Sequence, residues 1–80
     1  MDKQTKDHIG KIIKEKEEHL NKRFQMIPLT DKQSFLERTY WEMILLMRLT
    51  SSSAPTLYER AQKVAVESLE LEMKLNTLAK

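Results

Sequence analysis

Eighty residues with no cysteine, one glycine and two prolines bound this chain to one small domain without disulfides or thiolate metal sites. The formal net charge is +2 and the pI is near 9.0, but acids interleave with the bases, so nucleic-acid binding is permitted without being indicated. Hydrophobic residues make up 40% and charged residues 32%, a folded composition. A lone domain of this size buries only about 60–65% of its unfolded surface, so it is marginal unless well packed or oligomeric.

The first predicted helix runs from about 3 to 26. Ile9, Ile12, Ile13, Leu20 and Phe24 fall on one narrow stripe at helical spacing, and the opposite side is charged and rich in good helix formers. Glu18 precedes Lys22 by four residues, the favourable order for a helical ion pair. Gly10 weakens the early turns by about 1 kcal/mol relative to alanine. The N-terminal stretch lacks the apolar core and cleavage site of a signal peptide, and no run reaches membrane-spanning length, so a soluble cytoplasmic protein is expected.

Pro28 disfavours helical geometry at Ile27 and breaks the chain. Thr30 and Gln33 then have capping-box spacing, which predicts a second helix over about 31–50. Its stretch "YWEMILLMRL", residues 40–49, is interrupted only by Glu42 and Arg48. That is too apolar for a helix with one wet face and too short for a membrane span. On a helical wheel Leu36, Tyr40, Met43, Ile44, Leu46 and Met47 form one broad apolar face. Trp41, Leu45 and Leu49 form a second row on the far side, among Glu37, Arg38, Glu42 and Arg48.

The hydroxyl cluster "TSSSAPT" is the second break. Thr56 and Glu59 repeat the capping-box spacing, with Ser53 as a rival cap, and the third helix is expected from about 54 or 57 to 78. Leu57, Val64, Leu71, Leu75 and Leu78 make one seam of it. Tyr58, Ala65, Leu69 and Met73 make a second, with Val66 beyond it and Ala61 and Ser68 between the two. Short connections favour antiparallel neighbours. The expectation is an all-α three-helix bundle, or antiparallel helical hairpins, that oligomerises through helices 2 and 3. Contiguous apolar surface beyond the needs of one core marks an interface. Trp41, Leu45, Leu49, Tyr58, Leu69 and Met73 are the expected contact residues.

Little else in the chain suggests chemistry. His8 and His19 lie three helical turns apart, about 16 Å, too far to share one metal ion. Glu15 and His19 are four apart, but nothing near them completes a ligand set, so no metal and no cofactor are expected. Lys16 interrupts the stripe of helix 1 and Glu72 the apolar arc of helix 3. They are a candidate seam ion pair that fixes helix register, with snorkelling to solvent as the alternative. The bases of helix 1, among them Lys6, Lys11, Lys14 and Lys22, could touch phosphates, though no phosphate-cradling loop accompanies them. Ser68, Glu70 and Leu71, in "ESLELE", resemble the Ser-x-Glu-Leu-Asp motif of the small helical aspartyl-phosphate phosphatases that regulate sporulation. Leu69 stands where that motif usually has Gln, Glu72 where it has Asp, and the family's two-helix layout is shorter than this chain.

The function expected from these features is non-enzymatic protein–protein interaction, as a small regulator, inhibitor or adaptor whose partner is another protein or a second copy of itself. Met43, Met47 and Met73 agree with an adaptable binding surface. A small helical nucleic-acid binder is the alternative class, and a phosphatase-like regulator the third.

Overall fold

Helical periodicity organises the whole chain. The computed structural model describes residues 2–78 and contains three long α-helices with no strand among the described residues. Helix α1 spans Lys3–Glu18. Its first turn is closed by Asp2, whose carboxylate accepts the Thr5 N–H at 2.7 Å. That hydrogen bond holds the Asp2 carboxyl below the usual aspartate range. The cap therefore acts above that range and is lost as pH falls through the lowered value. The helical path continues past Glu18 as a π turn, His19–Arg23, and a 3₁₀ turn, Phe24–Met26. The expected helix over 3–26 is thus one helical path wound in three ways, with Leu20 and Phe24 buried where the winding changes.

Helix α2, Leu29–Thr50, starts two residues before the expected position. The Thr30–Gln33 capping box does not form. Pro28 holds the cap position in extended backbone, and its carbonyl accepts the N–H groups of Asp31 and Lys32 at 2.9 and 3.1 Å. Helix α3, Pro55–Leu78, likewise leaves Thr56 inside its first turn. Proline suits the first helical position, because its missing N–H would have no intrahelical partner there. The hydroxyl cluster before it serves α2. Ser53 Oγ donates to the Leu49 carbonyl at 3.5 Å, one of the acceptors that the end of α2 leaves free, and Thr50 Oγ1 back-bonds to the Leu46 carbonyl one turn earlier at 2.7 Å.

The four residues between α2 and α3 force an antiparallel hairpin, and its seam is the most extensive contact in the chain. Leu36, Met43 and Leu46 of α2 meet Ala61, Val64 and Ala65 of α3 in one core. Each fully buried large aliphatic side chain there contributes about 1.5–3 kcal/mol. Helix α1 and its extension cover one side of the hairpin with Ile9, Ile13, Leu20 and Phe24. Gly10 lies against Leu57 and Glu17 bonds Arg60, so α1 runs parallel to α3. The side chain of Leu78, expected in the α3 seam, lies outside the described part.

Two positions in this frame give testable outcomes. Gly10 has no left-handed backbone, and a Cβ added there would meet Leu57 Cδ2 at 3.7 Å and Arg60 Nη1 at 3.9 Å, both ordinary contacts. Gly10→Ala is expected to raise stability by about 0.5–1 kcal/mol in urea unfolding. Thr39 is fully buried and its hydroxyl has no partner. Thr39→Val removes that stranded group and is expected to be neutral or stabilising by up to about 2 kcal/mol. A loss of stability instead would mean that the hydroxyl is satisfied in solution.

Candidate protein-interaction site

Two-turn rows of apolar side chains remain uncovered on both arms of the hairpin. On α2, Trp41, Leu45 and Leu49 are 62%, 58% and 60% exposed. The opposite side of the same helix holds Leu36, Thr39, Met43, Leu46 and Thr50, all buried. The split follows from spacing, since steps of four keep the exposed row together and steps of three and four keep the buried one together. Trp41 stands edge-on to Tyr40, ring centroids 5.4 Å apart at 78°, a favourable aromatic geometry that orients the indole. A shallow depression bordered by Ser34, Glu37, Arg38 and Glu42 lies beside it.

On α3 the exposed row is Val66, Leu69 and Met73. Met73 borders a shallow apolar depression with Glu70, Lys74 and Thr77. Tyr58, expected in this seam, is half-buried, and Ala65 is buried in the core. Sequence reasoning did not single out Met26 and Leu29, which are 84% and 71% exposed where the chain turns from the 3₁₀ segment into α2. Met26 ends the first predicted helix, off its apolar stripe, and Leu29 falls in the break after it, where no periodicity distinguishes a wet side chain from a covered one.

The expected Lys16–Glu72 pair is not what the fold builds. Lys16 Nζ lies 3.3 Å from a carboxylate oxygen of Glu42 on α2. The reason is axial position. Glu17, next to Lys16, bonds Arg60 at 3.0 Å, and Glu72 lies twelve residues further along α3, about 18 Å away along the axis. Lys16 also approaches the Phe35 ring at 6.0 Å, so its stem packs while its charge reaches the rim of the core. The two ion pairs, Lys16–Glu42 and Glu17–Arg60, hold the last turn of α1 to each arm of the hairpin.

The residues of the phosphatase-like motif separate on α3. Ser68 is fully buried and donates its hydroxyl to the Val64 carbonyl at 2.9 Å, whereas Glu70 is exposed and Leu71 half-buried. His8 is exposed on α1, and His19 sits in the π turn 6.3 Å from the Phe35 ring. Lys6, Lys11 and Lys14 edge an open groove between α1 and the start of α3, with Asp7 among them. No family model, curated protein or solved structure matches the chain.

The repositioned ion pair has a direct check. In a double-mutant cycle, Lys16→Met and Glu42→Gln are expected to couple by about 0.2–1 kcal/mol, the range for a partly exposed pair. Lys16→Met and Glu72→Leu are expected to be additive. Coupling in the second cycle and none in the first would place α1 at a different height along α3.

Proposed function

We propose that this chain is a non-enzymatic protein–protein interaction module, a small regulator, inhibitor or adaptor acting in the cytoplasm through the apolar rows of α2 and α3. The observation that carries the reading is the Trp41–Leu45–Leu49 row, exposed on a helix whose other side already supplies the core. Scattered apolar residues on a surface need no explanation, but aligned ones mark an interaction surface, and tryptophan is a residue type enriched at binding hot spots. Tryptophan buries much area with few rotors, and the surrounding Glu37, Arg38 and Arg48 form a polar rim of the usual kind. No helix among the described residues is long and apolar enough to cross a membrane.

The groove edged by Lys6, Lys11 and Lys14 favours a second reading, a small helical nucleic-acid binder. The two readings part under salt. Phosphate contacts give an affinity that falls steeply with ionic strength, whereas an apolar contact holds or tightens.

Trp41→Ala is expected to weaken partner binding by about 2 kcal/mol or more, roughly thirtyfold. Quantitative capture from the native host, followed by titration of the captured protein against wild type and variant, measures this. Circular dichroism of Trp41→Ala should remain helical. A variant that loses its helical spectrum would make the row internal core and end the proposal.

A further inference from the structure

We infer that the groove between α1 and the start of α3 binds a small phosphorylated molecule by its phosphate group, with Gly10 as the floor of the site. This is independent of the apolar rows on α2 and α3, none of whose residues lines the groove.

Charge is the first argument. The groove has a volume of about 630 Å³, within the range of small-molecule sites. Lys6, Asp7, Gly10, Lys11 and Lys14 line it from α1, and Arg60 faces them from α3. Four cations thus surround one carboxylate. Among the described residues Lys6, Lys11 and Lys14 have no ion-pair partner, since the two ion pairs of the fold belong to Lys16 and Arg60. The first turn of α3, which completes the facing wall, carries no acid. Unpaired positive charge along a concave wall concentrates anions there.

Arg60 narrows the chemistry. Its Nη2 donates to Glu17 at 3.0 Å, which orients the guanidinium. Its Nη1 has no acceptor among the described residues and lies beside Gly10, 3.9 Å from where a Cβ would stand. With Nη2 engaged, Arg60 offers one free terminal nitrogen in place of the paired prongs that grip a planar carboxylate. A phosphate carries close to two charges and three acceptor oxygens, which suits a single arginine donor among separate lysine point charges.

Gly10 is the second, independent argument. It is the only glycine of the chain and stands inside α1, where glycine is the least favourable residue after proline. The fold does not require it, because its backbone is not left-handed and an added Cβ meets only ordinary contacts. What the missing side chain does is leave the space beside Arg60 Nη1 open to an incoming oxygen, the close approach to backbone that glycine permits. A methyl group would fill that space. The cations do not extend into a nucleic-acid track. Lys6 to Lys14 span about 12 Å of helix. Glu15, Glu17 and Glu18 follow directly. Even a single nucleic-acid-binding module covers about 600–1,000 Å².

Calorimetric titration of the full chain with inorganic pyrophosphate is the test, because that probe presents terminal phosphates and no organic group. Saturation at one site per chain is expected. Lys11→Gln and Lys14→Gln are each expected to weaken it by about threefold or more. Gly10→Ala is expected to weaken it by a similar factor while resisting urea better than wild type, a pair of opposite effects that partial unfolding does not produce. Lys22→Gln, outside the groove, should bind as wild type does, and succinate should bind about tenfold more weakly than pyrophosphate. No saturation by about 10 mM pyrophosphate overturns the inference. Equal losses in Lys22→Gln and Lys11→Gln also overturn it, since net charge alone would then explain them. Affinity unchanged in Gly10→Ala and in both groove lysine variants overturns it by moving the anion elsewhere. Succinate binding as tightly as pyrophosphate overturns the phosphate assignment. A short single-stranded DNA that binds far more tightly than pyrophosphate, with the same losses in the groove variants, overturns the small molecule and puts nucleic acid in its place.

Discussion

The antiparallel contact of α2 with α3 is the constraint on which the other features depend. Ala61, Ala65 and Ser68 are buried small residues of α3 beside Val64, and large residues of α2, Leu36 and Met43 among them, share that core. Ser68 can lie in that seam because its hydroxyl is satisfied within its own helix, on the Val64 carbonyl. Once the seam forms, each helix has one side left for α1 and one side left for solvent or a partner.

Helix α1 is the lesser member of the core but it settles which surfaces stay open. Its apolar stripe is narrow, and Ile9, Ile13, Leu20 and Phe24 cover one side of the hairpin. The Lys16–Glu42 and Glu17–Arg60 pairs contribute little energy at their exposure, yet they oppose rotation and sliding of α1 because each reaches a different arm. Packing of α1 cannot extend around to Trp41, Leu45 and Leu49, which lie on the side of α2 opposite its buried row. The result is a slab rather than a sphere, 45 Å long and 15 Å in its thinnest direction. A small chain that spends its apolar residues on two sides of one helix gains less from its own core.

Much of this was legible in the chain. Three helices, their breaks at Pro28 and at the serine cluster, and the double-sided apolar pattern of α2 all follow from local spacing and local backbone chemistry. The exposure of Trp41, Leu45, Leu49, Leu69 and Met73 was legible for the same reason, since a helical wheel separates two rows whatever the helix packs against. Helix starts were less legible. Capping-box spacing at Thr30 and Thr56 competed with proline at the adjacent first turns, and the proline positions prevailed because backbone carbonyls and the missing N–H already met the needs of those termini.

What the sequence by itself determined, then, is everything with a period of 3.6 residues: the helical class, the number of helices and the side of each that is apolar. Only the tertiary structure decided how far α1 lies along α3, and with it the exchange of Glu72 for Glu42 as the partner of Lys16. It also decided that Thr39 is sealed in without a hydrogen-bond partner and that Tyr58 is half-covered while Met26 and Leu29 are not. Periodicity specifies the direction in which a side chain points around its own axis. It carries no information on the axial offset between helices, which is set by how the ridges of one fit the grooves of the next.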